Sequence, residues 1–146
     1  MKKKVLIIEG HEGLRQLMTI LLSRKYRVYA AADGIEALAW LSTGEIPHVI
    51  IAESAMKGLP LDDFLHAIQS SGIYAHIPVV LTDEGIAASN AFKKYHRNTS
   101  VRDFLSLPLK PADLICAITR MTNTSIEETG VPSPEASMAA PVWASV

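Results

Sequence analysis

Pro47-His48-Val49-Ile50-Ile51-Ala52-Glu53-Ser54-Ala55-Met56 is the stretch on which the reading of the fold turns. The uncharged residues Val49–Ala52 run without polar alternation into Glu53, and a loop holding Gly58 and Pro60 follows. An apolar run of this kind fits a strand buried on both faces, the pattern of a central strand in a parallel sheet. In open parallel sheets the ligand crevice lies beyond the carboxyl ends of the strands. Glu53 therefore stands at the mouth of such a crevice, or else it is a strand-end glutamate that turns to solvent.

Working outward toward the N-terminus, Gly44 and Pro47 separate this strand from a helix over Ile35–Leu41 that carries Ala37, Leu38 and Trp40. Asp33-Gly34 reads as its cap or turn. A less apolar strand, Arg27–Ala31, precedes it. Before that, Leu14, Leu17, Met18, Leu21 and Leu22 fall at helical spacing from Glu12, and Arg24, Lys25 and Tyr26 close the helix. The first strand is Val5–Ile8, ending at Glu9-Gly10-His11.

Toward the C-terminus, Asp62 and Asp63 are expected to cap and charge a third helix with Phe64, Leu65 and Ile68 on its apolar face. Gly72 stops it. Ile77–Thr82 is a fourth strand, with Pro78 at its start where proline is tolerated. Gly85–Arg97 is a weaker helix that buries Phe92 and Tyr95, and Val101–Leu105 is a fifth strand. After the Leu107-Pro108 turn, Pro111 opens a last helix carrying Leu114, Ile115, Ile118 and Met121. Strands alternating with helices in this way make βαβ units with right-handed crossovers, and so an α/β doubly wound parallel sheet.

Composition sets the outer limits. A chain of 146 residues is expected to form one domain. A net charge of -1 and a pI near 6.5 provide no electrostatic footprint for nucleic acid or an anionic membrane. The opening Met-Lys-Lys-Lys-Val-Leu-Ile-Ile has too short an apolar run, ended by Glu9, for a secretion signal or a membrane span. The lone Cys116 fits a reducing cytoplasm and is read as a small buried residue on a helix. Residues 122–146 are rich in Ser, Thr, Ala, Pro and Glu and lack periodicity, so a domain over 1–121 is expected to carry a flexible C-terminal tail. Trp143 is the one large apolar residue there that calls for a cover.

The loops after the first, third, fourth and fifth strands bring Glu9, Glu53, Ser54, Thr82, Asp83, Glu84, Ser106 and Leu107 toward one crevice. Five blocks carry a resemblance: Val-Leu-Ile-Ile-Glu, Ala-Ala-Asp-Gly-Ile-Glu-Ala-Leu, His-Val-Ile-Ile-Ala-Glu, Ile-Pro-Val-Val-Leu-Thr and Asp-Phe-Leu-Ser-Leu-Pro-Leu. In these blocks and their spacing the chain resembles a receiver domain of bacterial two-component response regulators over residues 3 to about 121. The resemblance implies a five-stranded flavodoxin-like sheet of order 2-1-3-4-5 with helices on both faces. It places the two Mg²⁺-holding acids on Glu9 and Gly10, and the phosphate-accepting aspartate on Glu53. Thr82 takes the hydroxyl switch position, and Phe104 the aromatic one. The phosphate-binding lysine falls on Leu107, before a proline whose peptide bond is commonly cis. Lys110-Pro111 offers the same dipeptide, but at a spacing that displaces Phe104 and Leu107.

Three of these positions depart from the family. Gly10 removes a metal ligand, Glu53 carries its carboxyl one methylene (~1.5 Å) further, and Leu107 removes the lysine. Asp83 adds a negative charge where a phosphoryl group would dock. The implied function is thus a receiver that regulates by protein–protein contact without phosphorylation, with no catalytic activity and with Mg²⁺ binding weak or lost. Partners are expected to be a sensor kinase, another regulator or an output protein, since no output domain follows residue 121. The family's interaction face, the fourth helix, fifth strand and fifth helix, offers Lys94, Tyr95, Arg97 and Arg102, also as a homodimer surface. Glu53 is a candidate imitation of a phosphorylated side chain acting on Thr82 and Phe104. Two alternatives stay open: phosphorylation on Glu53 or on another acid such as Asp62, and a flavodoxin-like ligand-binding or enzyme domain. No glycine-rich phosphate loop or nucleophile–base pair supports the last, and His11 stands alone.

Overall fold

The structure is a computed structural model that describes residues 2–123, and of residues 86–88 the backbone only. In chain order the elements are β1 (Lys4–Ile8), α1 (Glu12–Ser23), β2 (Arg27–Ala31), α2 (Gly34–Leu41) and β3 (Val49–Glu53), then α3 (Leu61–Gln69), β4 (Val79–Glu84), α4 (Gly85–Tyr95), β5 (Val101–Leu107) and α5 (Pro111–Thr122). The five strands form one sheet of order β2-β1-β3-β4-β5. Every neighbouring pair is parallel.

β3 is the middle strand, and its apolar residues Val49–Ala52 are fully buried. Alternate side chains go to opposite layers, as strand geometry requires. Leu6, Ile8, Ile50, Ala52 and Leu81 pack with Ala37, Leu41, Phe64 and Ile68, under α2, α3 and α4. Val5, Ile7, Val49, Ile51 and Val80 pack with Met18, Leu22, Leu114 and Ile118, under α1 and α5. Each fully buried aliphatic side chain of this kind stabilises by about 1.5–3 kcal/mol relative to exposure. Gly34 allows the α2 N-terminus to approach the β3–α3 loop, since a Cβ there would stand 2.4 Å from Met56 Cε and 3.1 Å from Leu59 Cβ.

Several local expectations are corrected. α3 starts at Leu61 with Pro60 at its N-cap position and no side-chain cap. Asp62 and Asp63 charge its first turn, but Asp62 instead accepts hydrogen bonds from Lys94 and Tyr95. β4 begins at Val79 rather than Ile77 and runs to Glu84, and β5 continues to Leu107, because the two strands pair to that point. α4 ends at Tyr95 and α1 at Ser23, short of the expected Arg97 and Tyr26. Cys116 is exposed, contrary to the buried reading. α5 turns Leu114, Ala117 and Ile118 inward, which leaves position 116 on the outer face. The Leu107–Pro108 peptide is cis, as expected. Residues 124–146, with Trp143, lie outside the described residues.

Candidate functional site

The carboxyl ends of the strands carry the site. Ile8 pairs with Ala52, so Glu9 follows beside Glu53, and Glu53 pairs with Thr82 across β3 and β4. On the far side Glu84 pairs with Leu107. A cleft of about 550 Å³ opens over these ends, with Glu9, Glu53, Thr82, Asp83 and Glu84 among its lining and Leu14, Leu17, Leu107, Pro108 and Leu109 as its apolar wall. Among the described residues that line it, none is lysine or arginine.

Glu53 does not turn to solvent. Its Oε1 accepts the Gly10 N–H at 2.7 Å. Gly10 eases that approach, because a Cβ at position 10 would stand 3.0 Å from Oε1 and the carboxyl would have to shift by a few tenths of an ångström. Two of the departures from the family are therefore one local arrangement: the longer acid reaches into space that a side chain at position 10 would fill. Burial pushes the Glu53 carboxyl up to about 7, and the neighbouring Glu9 adds to the rise; the Gly10 N–H and the Lys57 charge oppose it.

Glu9 is 3 % exposed. Its Oε2 accepts the His11 N–H at 3.0 Å, its Oε1 receives no N–H or hydroxyl among the described residues, and its carboxyl lies within hydrogen-bonding reach of the Glu53 carboxyl. Thr82 is 1 % exposed, and its Oγ1 has no hydrogen-bond partner among the described residues. Glu53 is thus bonded toward β1 and not to the Thr82 hydroxyl. Asp83 is engaged by the Ser54 hydroxyl and accepts the Glu84 N–H at 2.9 Å. Phe104 is half-buried and meets Phe92 of α4 edge-on, with centroids 5.3 Å apart.

Two roles escaped the sequence. His11 lines the cleft, but its Nδ1 accepts the Leu14 N–H at 3.1 Å and so caps α1. Arg15 donates to the Glu9 carbonyl at 2.8 Å and fixes the β1–α1 loop. Neither residue belongs to a type that announces such a role, so no sequence signal marks them. On the α4 side, Lys94 bridges Asp62 at 2.9 Å and the Tyr95 hydroxyl donates to Asp62 at 2.6 Å. Tyr95 is buried, whereas Arg97 and Arg102 are exposed. Asp62 lies on α3 and is not among the residues lining the cleft.

The residues do not fit the two-acid Mg²⁺ site of a typical receiver. Gly10 offers no side chain, and the Glu53 oxygen nearest it is spent on a backbone N–H. Among the described residues no group of three or more His, Cys, Asp or Glu is placed to hold a metal ion.

No family model matches the chain. It is 25% identical over 123 residues to the sensor histidine kinase TmoS of Ectopseudomonas mendocina, covering 84% of this chain and 12% of that protein. It is 31% identical over 120 residues to the two-component response regulator ORR7 of Oryza sativa subsp. japonica, covering 80% of this chain and 55% of that protein. The chain thus spans little more than half of one relative and a small part of the other. Among solved structures, it superposes on the chemotaxis response regulator CheY4 of Vibrio cholerae with a TM-score of 0.72 at 24% identity, covering 83% of this chain and 99% of that one. The receiver domain of a sensor histidine kinase from Pseudomonas aeruginosa, solved with magnesium coordinated in its active-site cleft, gives 0.72 at 19%, covering 84% and 99%. Sheet order, helix placement and these likenesses give the chain the fold of a response-regulator receiver domain, and in sequence it is similar over most of its length to proteins of two-component signalling.

Proposed function

We propose that this receiver domain transmits its signal by protein–protein contact, without passing through an acyl phosphate. The observation that carries the reading is the bond from the Gly10 N–H to Glu53 Oε1 at 2.7 Å. Acyl-phosphate formation needs a free carboxylate oxygen, a divalent cation bridging it to the phosphoryl group, and a second cation for the remaining charge. Here the carboxylate at the acceptor position is tied back and partly neutral, one metal ligand is glycine, and Leu107 stands where the lysine would. Misplacing a reacting group by on the order of 1 Å costs about a hundredfold in rate, so the three departures compound. Mg²⁺ binding is accordingly weak or lost, and the domain has no catalytic role of its own.

The partner is a protein: a sensor kinase, another regulator, an output protein or a second copy of this chain. Arg97 and Arg102, exposed at the α4–β5 edge, suit an acidic patch on it. A cytoplasmic setting suits such a partner, and among the described residues no helix is long and apolar enough to cross a membrane. Intact-mass analysis after incubation with acetyl phosphate and Mg²⁺ tests the proposal. No phosphoryl adduct is expected on the parent chain, while Gly10→Asp/Glu53→Asp/Leu107→Lys is expected to gain one. An adduct on Glu53 or Asp62 of the parent overturns it.

A further inference from the structure

We propose that the cleft over the strand ends binds a primary ammonium group carried on an apolar stem, the chemistry that a lysine side chain or a small alkylamine presents. The inference rests on the reading above that the cleft is not a phosphorylation site. Its starting point is a buried hydroxyl without a partner, on the strand next to two carboxyls that have only each other. Glu9 and Thr82 are 3 % and 1 % exposed and both line the cleft; Thr82 Oγ1 has no hydrogen-bond partner among the described residues, and Glu9 Oε1 receives no N–H or hydroxyl there, its carboxyl having the Glu53 carboxyl as neighbour within hydrogen-bonding reach. Buried polar atoms of folded proteins are rarely left without partners, and each exception points to an absent ion, water or ligand.

The placement of these atoms narrows the ligand. Glu9 follows β1, Thr82 lies on β4, and Glu53 at the end of β3 stands between them. Three oxygen-bearing side chains therefore stand side by side at the ends of three adjacent strands. An ammonium is a compact charge with three donors and no acceptor, which matches that set. A guanidinium is a planar fork that favours two coplanar acceptors of one carboxylate, and here the outermost buried acceptors belong to different strands. A divalent cation asks for a fuller oxygen shell, and no group of three or more metal-binding side chains is available among the described residues.

Charge and shape agree. Glu9, Glu53, Asp83 and Glu84 line the cleft, and none of the described lining residues is lysine or arginine. Leu14, Leu17, Leu107 and Leu109 form the wall, which suits a methylene stem lying along it with its charged head on the floor. Leu107 stands on the rim, so a lysine in its place would supply a tethered ammonium to the same atoms.

The test is an amide-resolved NMR titration of the full chain at constant ionic strength. The probes are n-butylammonium chloride, tetramethylammonium chloride, and the peptides acetyl-Ala-Lys-Ala-amide and its Nε-acetylated form. Butylammonium should give saturable shifts at Glu9, Gly10, Glu53 and Thr82. Tetramethylammonium, which has no N–H, should bind at least roughly tenfold more weakly. Glu9→Gln and Thr82→Val should each weaken butylammonium by several-fold to tenfold, Thr82→Ser should retain it, and Leu107→Lys should abolish it by occupying the site. The Thr82→Val and Thr82→Ser pair carries the test if Glu9→Gln does not fold. Tighter binding of the lysine peptide than of butylammonium assigns the site to a protein-borne lysine, and weaker binding assigns it to a small amine. Equal response to both ammonium salts, or unchanged binding in Thr82→Val, overturns the proposal. The acetyl phosphate experiment, run on the same sample, separates this failure from that of the contact-only reading.

Discussion

The interior of the sheet and its carboxyl-terminal rim answer to different physical demands. Within β1, β3 and β4 the apolar residues are buried to 0 or 1 %, and neighbouring strands stay in parallel register. One residue further on, at Glu9, Glu53 and Thr82, the chain meets a cleft whose polar groups are only partly satisfied. The interior must conserve volume and alternation to fold at all, whereas the rim holds chemistry that the fold does not require. The architecture therefore does not depend on which residues stand at the rim.

The sharpest way to break the contrast is from the inside. Ile50→Ala removes most of a fully buried side chain at the middle of the sheet. It should cost about 2–5 kcal/mol, read as a lower urea midpoint with the denaturant slope unchanged. Leu107→Ala, on the half-buried rim, should cost clearly less. Equal costs would mean that the rim is part of the core.

Next comes the local arrangement at position 10. Gly10→Asp places a Cβ 3.0 Å from Glu53 Oε1 and a carboxyl beside two others. The expected loss is about 1–3 kcal/mol, largely recovered when Glu53→Asp shortens the opposing side chain. A thermal-melt double-mutant cycle should give a coupling of about 0.5–3 kcal/mol. Additive effects would show that the two departures arose independently and that the 2.7 Å bond does not link them.

How far this was legible follows from the same contrast. Hydrophobic periodicity marks Val49–Ala52 and the layer-forming positions Leu6, Ile8, Val80 and Leu81, because burial acts on runs of residues. Cys116 was misjudged because one-face burial on a helix depends on the phase of Leu114 and Ile118, which a single apolar residue does not reveal. The 2 % exposed Asp103 and its ion pair with Arg120 were invisible, since strand-to-helix pairing 17 residues apart leaves no local pattern. At the site, the substitutions at 10, 53 and 107 were visible one by one through the resemblance. That Gly10 makes room for Glu53 needed coordinates, because it is a distance and not a motif.

Smaller is the pH effect of Glu53. Its folded carboxyl titrates near 7 against an ordinary value of 4.5. The native state thus holds a proton that the unfolded chain has released between those values. Stability contributed by this group is full below pH 4.5, falls as pH rises toward 7, and stays low above it. After discounting for its half exposure, Glu53→Gln should stabilise by about 1–2 kcal/mol at pH 8 and change little at pH 4. Chemical denaturation at the two pH values checks the sign. A variant less stable than the parent at pH 8 would mean that the Gly10 N–H outweighs burial, with Glu53 fully charged and suited to imitate a phosphoryl group.

Smallest in stability, and informative about partners, is the seam between α3 and α4. Lys94 and Asp62 are 60% and 57% exposed, and water screens such a pair strongly. Lys94→Ala should leave the melting midpoint within error of the parent. Asp62→Ala should be felt more, because it also removes the acceptor of the buried Tyr95 hydroxyl, bonded at 2.6 Å. The same substitution frees the Lys94 ammonium on the α4 surface, near exposed Arg97. If the interaction face works through positive charge, Asp62→Ala should tighten capture of an acidic partner while Arg97→Glu with Arg102→Glu weakens it. Both effects should shrink as salt rises, since exposed charges are screened within about 8 Å at physiological ionic strength. Affinity capture from native lysate at two salt concentrations measures this. If Asp62→Ala loses the partner that the arginine variant keeps, recognition runs through the ordered α3–α4 seam and not through the open basic edge.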